Sequence, residues 1–251
     1  MKVDIVYFSG TGNTKAVADV YEQLFKLLGH DVTSSSIEEN PHVGHADLLI
    51  MGGPIYAGNM PDDFLNWVRK NVPKTKAGKA IVYSTSAGLM NANGVKSVGK
   101  KLQKKGYGII DQRTYEMPRN FYVDKYDPTP IEKQETQFKN MLDLVKKSME
   151  DLNLEASIVM NDSTLGIDFW ADIFRLMAKQ MGKNFKINEG CIQCGLCQKD
   201  CPKSNINYRT KHYANKCMLC TRCIHNCPVN AISYKGKTIE QYKALDVHGD
   251  L

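Results

Sequence analysis

The first 190 residues of this 251-residue chain contain no cysteine. The chain also has no run of the roughly 18 to 20 apolar residues that a membrane span needs. Asp4 lies at a position where the apolar segment of a signal peptide would begin, and an acidic residue there is not typical of one. We therefore predict a cytoplasmic protein without a transmembrane segment. Apolar residues make up 42% of the chain and charged residues 24%, which excludes an intrinsically disordered protein.

The cysteines and the charge both mark a boundary within the chain. All eight cysteines lie between Cys191 and Cys227. In a reducing compartment, crowded cysteines bind metal more often than they form disulfides. Residues 1–160 carry 20 Lys and Arg against 19 Asp and Glu, whereas residues 161–251 carry 13 against 8. The net charges of +1 and +5 indicate two domains with different chemistry.

Strand-like and helix-like segments alternate through the first 152 residues. Strands are predicted over 2–8, 31–36, 45–52, 79–84 and 108–116, and helices over 15–28, 61–71, 94–105 and 131–152. This alternation predicts an α/β fold, in which a doubly wound five-stranded parallel sheet is covered by helices on both faces. A ligand site is then expected at the carboxyl ends of the strands.

The loop after the first strand carries the features of an anion site. Gly10 and Gly12 allow a sharp turn and close approach to a ligand, and Ser9, Thr11, Asn13 and Thr14 supply short polar side chains. A helix that begins here would present free N–H groups to a phosphate. The loop lacks the GK[ST] ending of a Walker A motif, and Lys15 replaces the third glycine of G-x-G-x-x-G. A glycine-rich turn without a ligand is the alternative.

Three loops of this region resemble those of the flavodoxins. Residues 8–14 are similar to the FMN phosphate loop, and residues 52–61 and 84–88 are similar to the loops on either side of the flavin ring. Over residues 1–150 the resemblance implies the strand order 2-1-3-4-5 and bound FMN. The FMN-binding residues that it implies are Ser9, Gly10, Thr11, Gly12, Asn13, Thr14, Pro54, Ile55, Tyr56, Ala57, Gly58, Asn59, Ser84, Thr85, Ser86, Ala87, Gly88, Asn120 and Phe121.

Individual roles follow from the same resemblance. Residues 9–14 would hold the phosphate, and Asn120 and Phe121 would line the open edge of the site. Tyr56 would stack on the flavin or serve only in packing. The Gly58 peptide would turn to bond flavin N5, or Gly58 is only a turn glycine. The chain departs from classical acidic flavodoxins in its near-neutral charge and in the aromatic, proline-containing segment 117–130.

Residues 153–186 read as a linker that contains an amphipathic helix over 162–181. Its apolar face is predicted to hold Leu165, Phe169, Ile173, Leu176 and Met177, with Trp170 and Phe174 beside them. Lysines are too sparse for a typical membrane-surface helix. We expect a connector that packs against one of the domains.

The eight cysteines form two runs of the same spacing. Cys191-x2-Cys194-x2-Cys197-x3-Cys201-Pro is repeated as Cys217-x2-Cys220-x2-Cys223-x3-Cys227-Pro, with a period of 26. Each run has the bacterial ferredoxin spacing for a [4Fe–4S] cluster, whereas zinc sites usually divide into two distant CxxC pairs. Residues 187–234 thus resemble a two-cluster ferredoxin domain, followed by a tail over 235–251. We expect Ile192, Ile206, Ile224 and Ile232 to form an apolar shell around the clusters.

The ferredoxin pattern implies that the fourth cysteine of each run serves the other cluster. One cluster would be held by Cys191, Cys194, Cys197 and Cys227. The other would be held by Cys217, Cys220, Cys223 and Cys201. The six histidines show no ligand spacing, and we expect His212 and His225 at the surface.

The whole chain resembles flavodoxin–ferredoxin fusions of anaerobes. This implies electron transfer between FMN and two [4Fe–4S] clusters, with redox proteins such as acidic ferredoxin- or flavodoxin-type carriers as partners. The alternatives are an FMN-dependent reductase of a quinone or enone fed by its own clusters, and a structural cluster protein without flavin. No second dinucleotide fold, G-x-S-x-G elbow or H-E-x-x-H helix is present, and basic residues do not alternate with aromatics. Direct use of NAD(P)H and nucleic-acid binding are therefore not expected.

Overall fold

The N-terminal 150 residues form a five-stranded parallel sheet in the order β2-β1-β3-β4-β5, as predicted. The computed structural model describes residues 1–44, 46–88, 94–123, 126–160 and 165–245. The strands are β1 (Lys2–Tyr7), β2 (Asp31–Ser36), β3 (Leu48–Pro54), β4 (Lys79–Ser86) and β5 (Gly108–Glu116). His45, where the third strand was predicted to begin, lies outside the described residues. β3 and β4 run two residues further than predicted because Gly53 pairs with Ser84 and Pro54 with Thr85.

Four helices cover the two faces of the sheet. They are α1 (Asn13–Leu27), α2 (Asp62–Asn71), α3 (Gly94–Gln103) and α4 (Ile131–Glu150). Val17 of α1 and Val145 of α4 are fully buried on one face, and Phe64 of α2 and Val98 of α3 are fully buried on the other. Both faces of the central strands are therefore apolar, which explains their continuous hydrophobic runs.

The linker returns to the sheet before its helix begins. Ile158 N–H donates to the Ile109 carbonyl of β5 at 2.7 Å, and the Gln103 amide donates to the Ile158 carbonyl at the same distance. The helix α5 (Leu165–Gly182) follows; its predicted start at residue 162 lies outside the described residues. No helix in the described ranges combines the length and hydropathy that a bilayer crossing requires.

The predicted apolar face of α5 was wrong. Phe169, Leu176 and Met177 are more than half exposed, while Ala178 is buried and Phe174 and Met181 pack beside it. The side chains of Leu165 and Trp170 lie outside the described part of the chain. The helix does pack against the C-terminal domain, as expected of a connector, but through a neighbouring stripe of its surface.

The C-terminal domain consists of short elements around a small apolar core. They are β6 (Phe185–Ile187), α6 (Leu196–Lys199), β7 (Ile206–Asn207), β8 (His212–Tyr213), α7 (Arg222–His225) and β9 (Ile232–Tyr234). Ile206, Ile224 and Ile232 are buried as predicted. Ile192 lines the cavity that contains Cys191, Cys194, Cys197 and Cys227, as expected of the apolar shell, but it is 62% exposed and so shields that cavity only in part.

The period of 26 extends from the sequence to the backbone. The left-handed φ angles of Gln193 and Leu219 are 55° and 58°, and those of Ser204 and Asn230 are 46° and 47°. The helices α6 and α7 begin at residues 196 and 222, with the same spacing. The two halves of the domain are therefore structural copies.

Candidate cofactor sites

A cavity of about 370 Å³ lies at the carboxyl ends of β1, β3 and β4. The three loops that the sequence singled out meet there. Of the predicted flavin residues, those lining it are Ser9, Gly10, Thr11, Asn13, Thr14, Pro54, Ile55, Tyr56, Ala57, Thr85, Ser86, Ala87, Asn120 and Phe121. The chain therefore brings its short polar loop and two flanking loops together at the edge where parallel sheets bind ligands.

Five other predicted residues do not line this cavity: Gly12, Gly58, Asn59, Ser84 and Gly88. Ser84 is fully buried, with its hydroxyl 2.9 Å from that of Thr114 on β5. Gly58, at φ 89°, follows Ala57, at φ 49°, in a tight turn closed by Tyr56 and Asn59. The positive φ at position 58 is a backbone requirement that glycine meets without strain.

The loop before α1 has the geometry of an anion site. The Ser9 hydroxyl oxygen accepts the N–H groups of Gly12 at 3.1 Å and Lys15 at 3.2 Å, so these donors converge at the helix N-terminus. Gly12 has a φ of 106°, which other residues rarely adopt. The Lys15 ammonium is paired with Asp19 at 2.6 Å. Two backbone N–H groups that converge on one oxygen at a helix start have the arrangement that suits an anion, with Ser9 Oγ as their acceptor in this structure.

The polar side chains of this loop are already tied to neighbouring segments. The Thr14 hydroxyl lies 2.8 Å from that of Thr85, and Thr14 is 1% exposed. The Asn13 amide donates to the Pro118 carbonyl at 2.9 Å, and the Asn120 amide donates to the Thr11 hydroxyl. The loop is therefore held in shape by β4 and by the segment after β5.

Six residues that line the cavity were missed from the sequence: Met117, Pro118, Arg119, Tyr126, Phe174 and Leu219. The first four belong to the aromatic, proline-containing segment 117–130. Phe174 comes from α5, and Leu219 lies between two cysteines of the second run. The C-terminal domain thus forms part of the wall of the N-terminal cavity.

Tyr56 stands at the junction of the two domains. Its hydroxyl is buried and has no hydrogen-bond partner among the described residues. Burial, and to a lesser degree Cys220, hold its pKa well above the usual value of 10.0. A Cβ atom at Gly10 would lie 2.5 Å from this hydroxyl and 3.3 Å from the Cys220 carbonyl oxygen. Glycine at position 10 therefore allows the second cysteine run to approach the loop closely.

Two further cavities are lined by cysteines. One contains Cys191, Cys194, Cys197 and Cys227, and the other contains Cys201, Cys217, Cys220 and Cys223. All eight thiols are free. Each cavity therefore combines three cysteines of one run with the fourth cysteine of the other run.

Backbone N–H groups point at four of the sulfur atoms in a repeated pattern. Gln193 N–H donates to Cys191 Sγ and Leu219 N–H to Cys217 Sγ, both at 3.4 Å. The equivalent bonds to Cys201 and Cys227, from Asn205 and Ala231, are 3.3 and 3.2 Å long. Such donors stabilise thiolates and tune a bound iron–sulfur cluster.

The second cavity is the more deeply buried of the two. Burial raises the pKa of the Cys217 thiol to about 11 and that of Cys220 to about 12, and it also raises the pKa of Cys223. The buried Tyr213 hydroxyl lies beside Cys223 and interacts with its sulfur as a hydrogen-bond donor. A hydroxyl donor directed at a thiol sulfur fits a site for a sulfur-rich cofactor. Among the described residues, no three His, Cys, Asp or Glu side chains are grouped closely enough to hold a single metal ion.

The second cysteine loop, residues 217–225, joins the two domains. Arg222 donates to the carbonyls of Ser9 and Gly10 at 2.6 and 2.8 Å. It also forms two bonds with the Glu38 carboxylate, at 2.8 and 2.7 Å. His225 is only 3% exposed, so its predicted surface position was wrong; its Nε2 lies 2.8 Å from the Asn120 carbonyl.

A closing segment, residues 239–245, crosses the same boundary. The Gln241 amide donates to the Ile224 carbonyl at 2.6 Å, and the Tyr242 N–H donates to His225 Nδ1 at 3.0 Å. The Tyr242 hydroxyl donates to the Asn13 side chain, and a Cβ at Gly12 would lie 2.7 Å from that of Ala244. The predicted tail is thus packed at least to residue 245, and its remaining residues lie outside the described part.

Comparison with known proteins matches each half of the chain separately. Residues 4–115 match the family described as "Flavodoxin domain", and residues 211–233 match "4Fe-4S binding domain". A flavodoxin of Megasphaera elsdenii is 38% identical over 63 residues, 24% of this chain and 46% of that protein. The chain therefore aligns with about half the length of this relative.

Two solved flavodoxin structures are similar to part of the chain. Oxidised flavodoxin 1 from Bacillus cereus is 20% identical and covers 61% of this chain and 100% of its own, with a TM-score of 0.44. Two-electron reduced Megasphaera elsdenii flavodoxin is 24% identical and covers 57% of this chain and 98% of its own, with a TM-score of 0.42.

Proposed function

Because the chain joins a flavodoxin-like domain to a 4Fe–4S domain, we propose that it is an electron-transfer protein that binds FMN and two [4Fe–4S] clusters. The observation that carries the proposal is the shared wall of the two sites. Leu219, which lies between Cys217 and Cys220, lines the same cavity as the phosphate loop. When bound, FMN exchanges electrons one or two at a time, and each cluster exchanges one.

The chain's own residues would hold FMN in three ways. The N–H groups at the start of α1, together with the hydroxyls of Thr11 and Thr14, would bind the phosphate. The loops over 54–59 and 84–88 would flank the ring. Burial between these loops and the second cysteine loop would exclude water from the flavin, which strengthens the electrostatic interactions within the site.

The two cysteine cavities would hold one cluster each in the crossed arrangement. Each cavity contains the ligand set that the ferredoxin pattern assigns to one cluster. Backbone N–H groups bond equivalent cysteine sulfurs in both halves, which supports the proposal that each half supplies ligands to a cluster in the same way. The burial of Ile206, Ile224 and Ile232 around the cysteines would keep water from the sulfurs.

Three basic residues of the C-terminal domain are paired with carboxylates, so they would add little to a basic docking patch. Lys203 is paired with Asp63 at 2.8 Å and Lys211 with Glu189 at 2.8 Å, and Arg222 is paired with Glu38. Redox proteins remain the proposed partners, acidic carriers among them. An acidic partner would show exchange rates that fall as salt rises.

Composition and spectrum of the anaerobically purified protein test this function. We expect about one FMN, eight iron and eight sulfide per chain, and flavin absorption bands above a broad iron–sulfur absorption. Protein that holds iron but no FMN after reconstitution would contradict it. Rapid reoxidation of the reduced protein by a quinone or an enone would instead favour the alternative, a flavin-dependent reductase fed by its own clusters.

A further inference from the structure

The two copies within the C-terminal domain differ at positions that face the flavodoxin-like domain. The period of 26 assigns each residue of the second cysteine loop a counterpart in the first half. One changed pair, Gln198 and Ile224, places its second member in the core of the C-terminal domain. Four other pairs change chemistry: Gln193 and Leu219, Gly195 and Thr221, Leu196 and Arg222, and Lys199 and His225. A repeat that is otherwise preserved in its cysteines and backbone has therefore diverged in a group of neighbouring positions.

Each second-half member of these four pairs contacts the flavodoxin-like domain. Leu219 lines the cavity. The Thr221 hydroxyl and His225 Nε2 lie 3.3 and 2.8 Å from the Asn120 carbonyl. Because His225 Nδ1 accepts the Tyr242 N–H, its proton is on Nε2, which donates to Asn120.

Arg222 makes the most extensive of these contacts. Its side chain is 13% exposed, and besides Ser9, Gly10 and Glu38 it reaches the Asp200 carbonyl at 2.9 Å. The C=O and N–H groups of a trans peptide point in opposite directions. Binding the carbonyls of Ser9 and Gly10 to the guanidinium therefore directs the N–H groups of Gly10 and Thr11 away from it. Both of these residues line the cavity.

We propose that Arg222 is a positioning residue for the FMN phosphate, and that metal loading of the second cysteine loop, but not of its counterpart in the first half, strengthens FMN binding. The inference rests on the proposed function. Arg222 lies between Cys220 and Cys223, so a cluster that orders this loop also fixes the guanidinium against the phosphate loop. Coupling of this kind is reciprocal, so FMN stabilises the metal of the second cavity to the same degree.

The first experiment uses the full-length protein with its clusters intact and its flavin removed. Dissociation constants for FMN and riboflavin are measured by flavin fluorescence for the unaltered protein, Arg222→Gln and Arg209→Gln. Arg209 is the matched control because its guanidinium donates to the Tyr208 hydroxyl in the same domain. Arg222→Gln removes the charged hydrogen bonds to the carbonyls of Ser9 and Gly10. Because hydrogen bonds to charged groups contribute more than neutral ones, we expect this change to weaken FMN binding about tenfold or more. Riboflavin affinity, and both affinities of the control, should change by less than about twofold.

Two results of this experiment overturn the proposal. One is an FMN affinity of Arg222→Gln that equals that of the control. The other is an equal loss of FMN and riboflavin affinity, which indicates a general loosening of the cavity. An unaltered protein that binds no FMN overturns the proposed function as well, so the two failures are distinguishable.

The second experiment uses the unaltered protein and decides the matter if Arg222→Gln loses its iron. Release of iron to a chelator is followed with and without saturating FMN, and riboflavin serves as the control ligand. We expect FMN to slow the release of about half the iron several-fold and leave the other half unchanged. No effect of FMN, or equal slowing of all the iron, overturns the proposal.

Discussion

The crossed ligation of the two clusters predicts opposite outcomes for two matched substitutions. Cys227→Ala removes a cysteine of the second run, yet Cys227 lines the cavity of Cys191, Cys194 and Cys197. Cys201→Ala is the reciprocal change, since Cys201 lines the cavity of the other set. Each variant should lose one cluster of two, so iron should fall by half, from about eight to about four atoms per chain.

Alkylation identifies which cluster is lost. Cys194 is exposed, so once it is no longer bound to iron it should react readily with iodoacetamide. In Cys227→Ala, mass spectrometry of peptides from the anaerobically alkylated protein should show modified Cys194, while Cys217 and Cys220 stay protected. In Cys201→Ala, Cys194 should remain protected. Protection of Cys194 in Cys227→Ala, with modification of the second run, would refute the crossed assignment.

Three further outcomes are expected. Thr14→Ala should weaken FMN binding about tenfold, because a hydroxyl bond to a charged phosphate is worth about 1.5 to 3 kcal/mol; equal affinities of the unaltered protein for FMN and riboflavin would contradict this placement. Gly182→Ala should lower the iron content of the second cavity. The added Cβ would lie less than 3.0 Å from the Cys217 side chain, so Cys217 would have to move. Gly190→Ala, with nothing within 4 Å, is the control. The free energy of unfolding of the iron-free chain should fall as pH rises from about 9 to 12. Burial raises the pKa of Cys217 to about 11 and that of Cys220 to about 12. In this pH range the folded chain therefore keeps thiol protons that the unfolded chain has released. Denaturant midpoints at pH 8 and pH 10.5 check the sign, and iron-loaded protein should show a smaller change.

The sheet and its order were predictable because local patterns determine them. Apolar runs in β1, β3 and β4 are buried on both faces, and this is the pattern from which a parallel sheet is inferred. The repeat within the C-terminal domain was also predictable from the sequence, because the cysteine spacing recurs every 26 residues and the left-handed backbone turns recur with it.

The contacts between the domains were not predictable from local patterns. His225 was expected at the surface because the histidines of the sequence show no ligand spacing. Its burial depends on Asn120, 105 positions away, and on the closing segment. The face of α5 was wrong for a related reason: apolar spacing indicates a stripe on a helix, but its partner determines which neighbouring stripe is covered, here that of Phe174, Ala178 and Met181.

One signal for the interface was present in the sequence. Aligning the two halves on their cysteines places Arg222 opposite Leu196 and His225 opposite Lys199. Such departures indicate where one copy has a neighbour that the other lacks. In the structure, both second-half residues contact the flavodoxin-like domain.

The closing segment determines the order in which the protein can be completed during its synthesis. The Tyr242 hydroxyl bonds Asn13, a residue 229 positions earlier in the chain. The α/β domain can fold on the ribosome as soon as α4 has emerged. Its phosphate loop remains open on the side of Gly12 and Asn13 until residue 242 has left the exit tunnel. Nascent chains therefore pass through a stage in which the first domain is folded and this side of its ligand loop is still accessible to solvent.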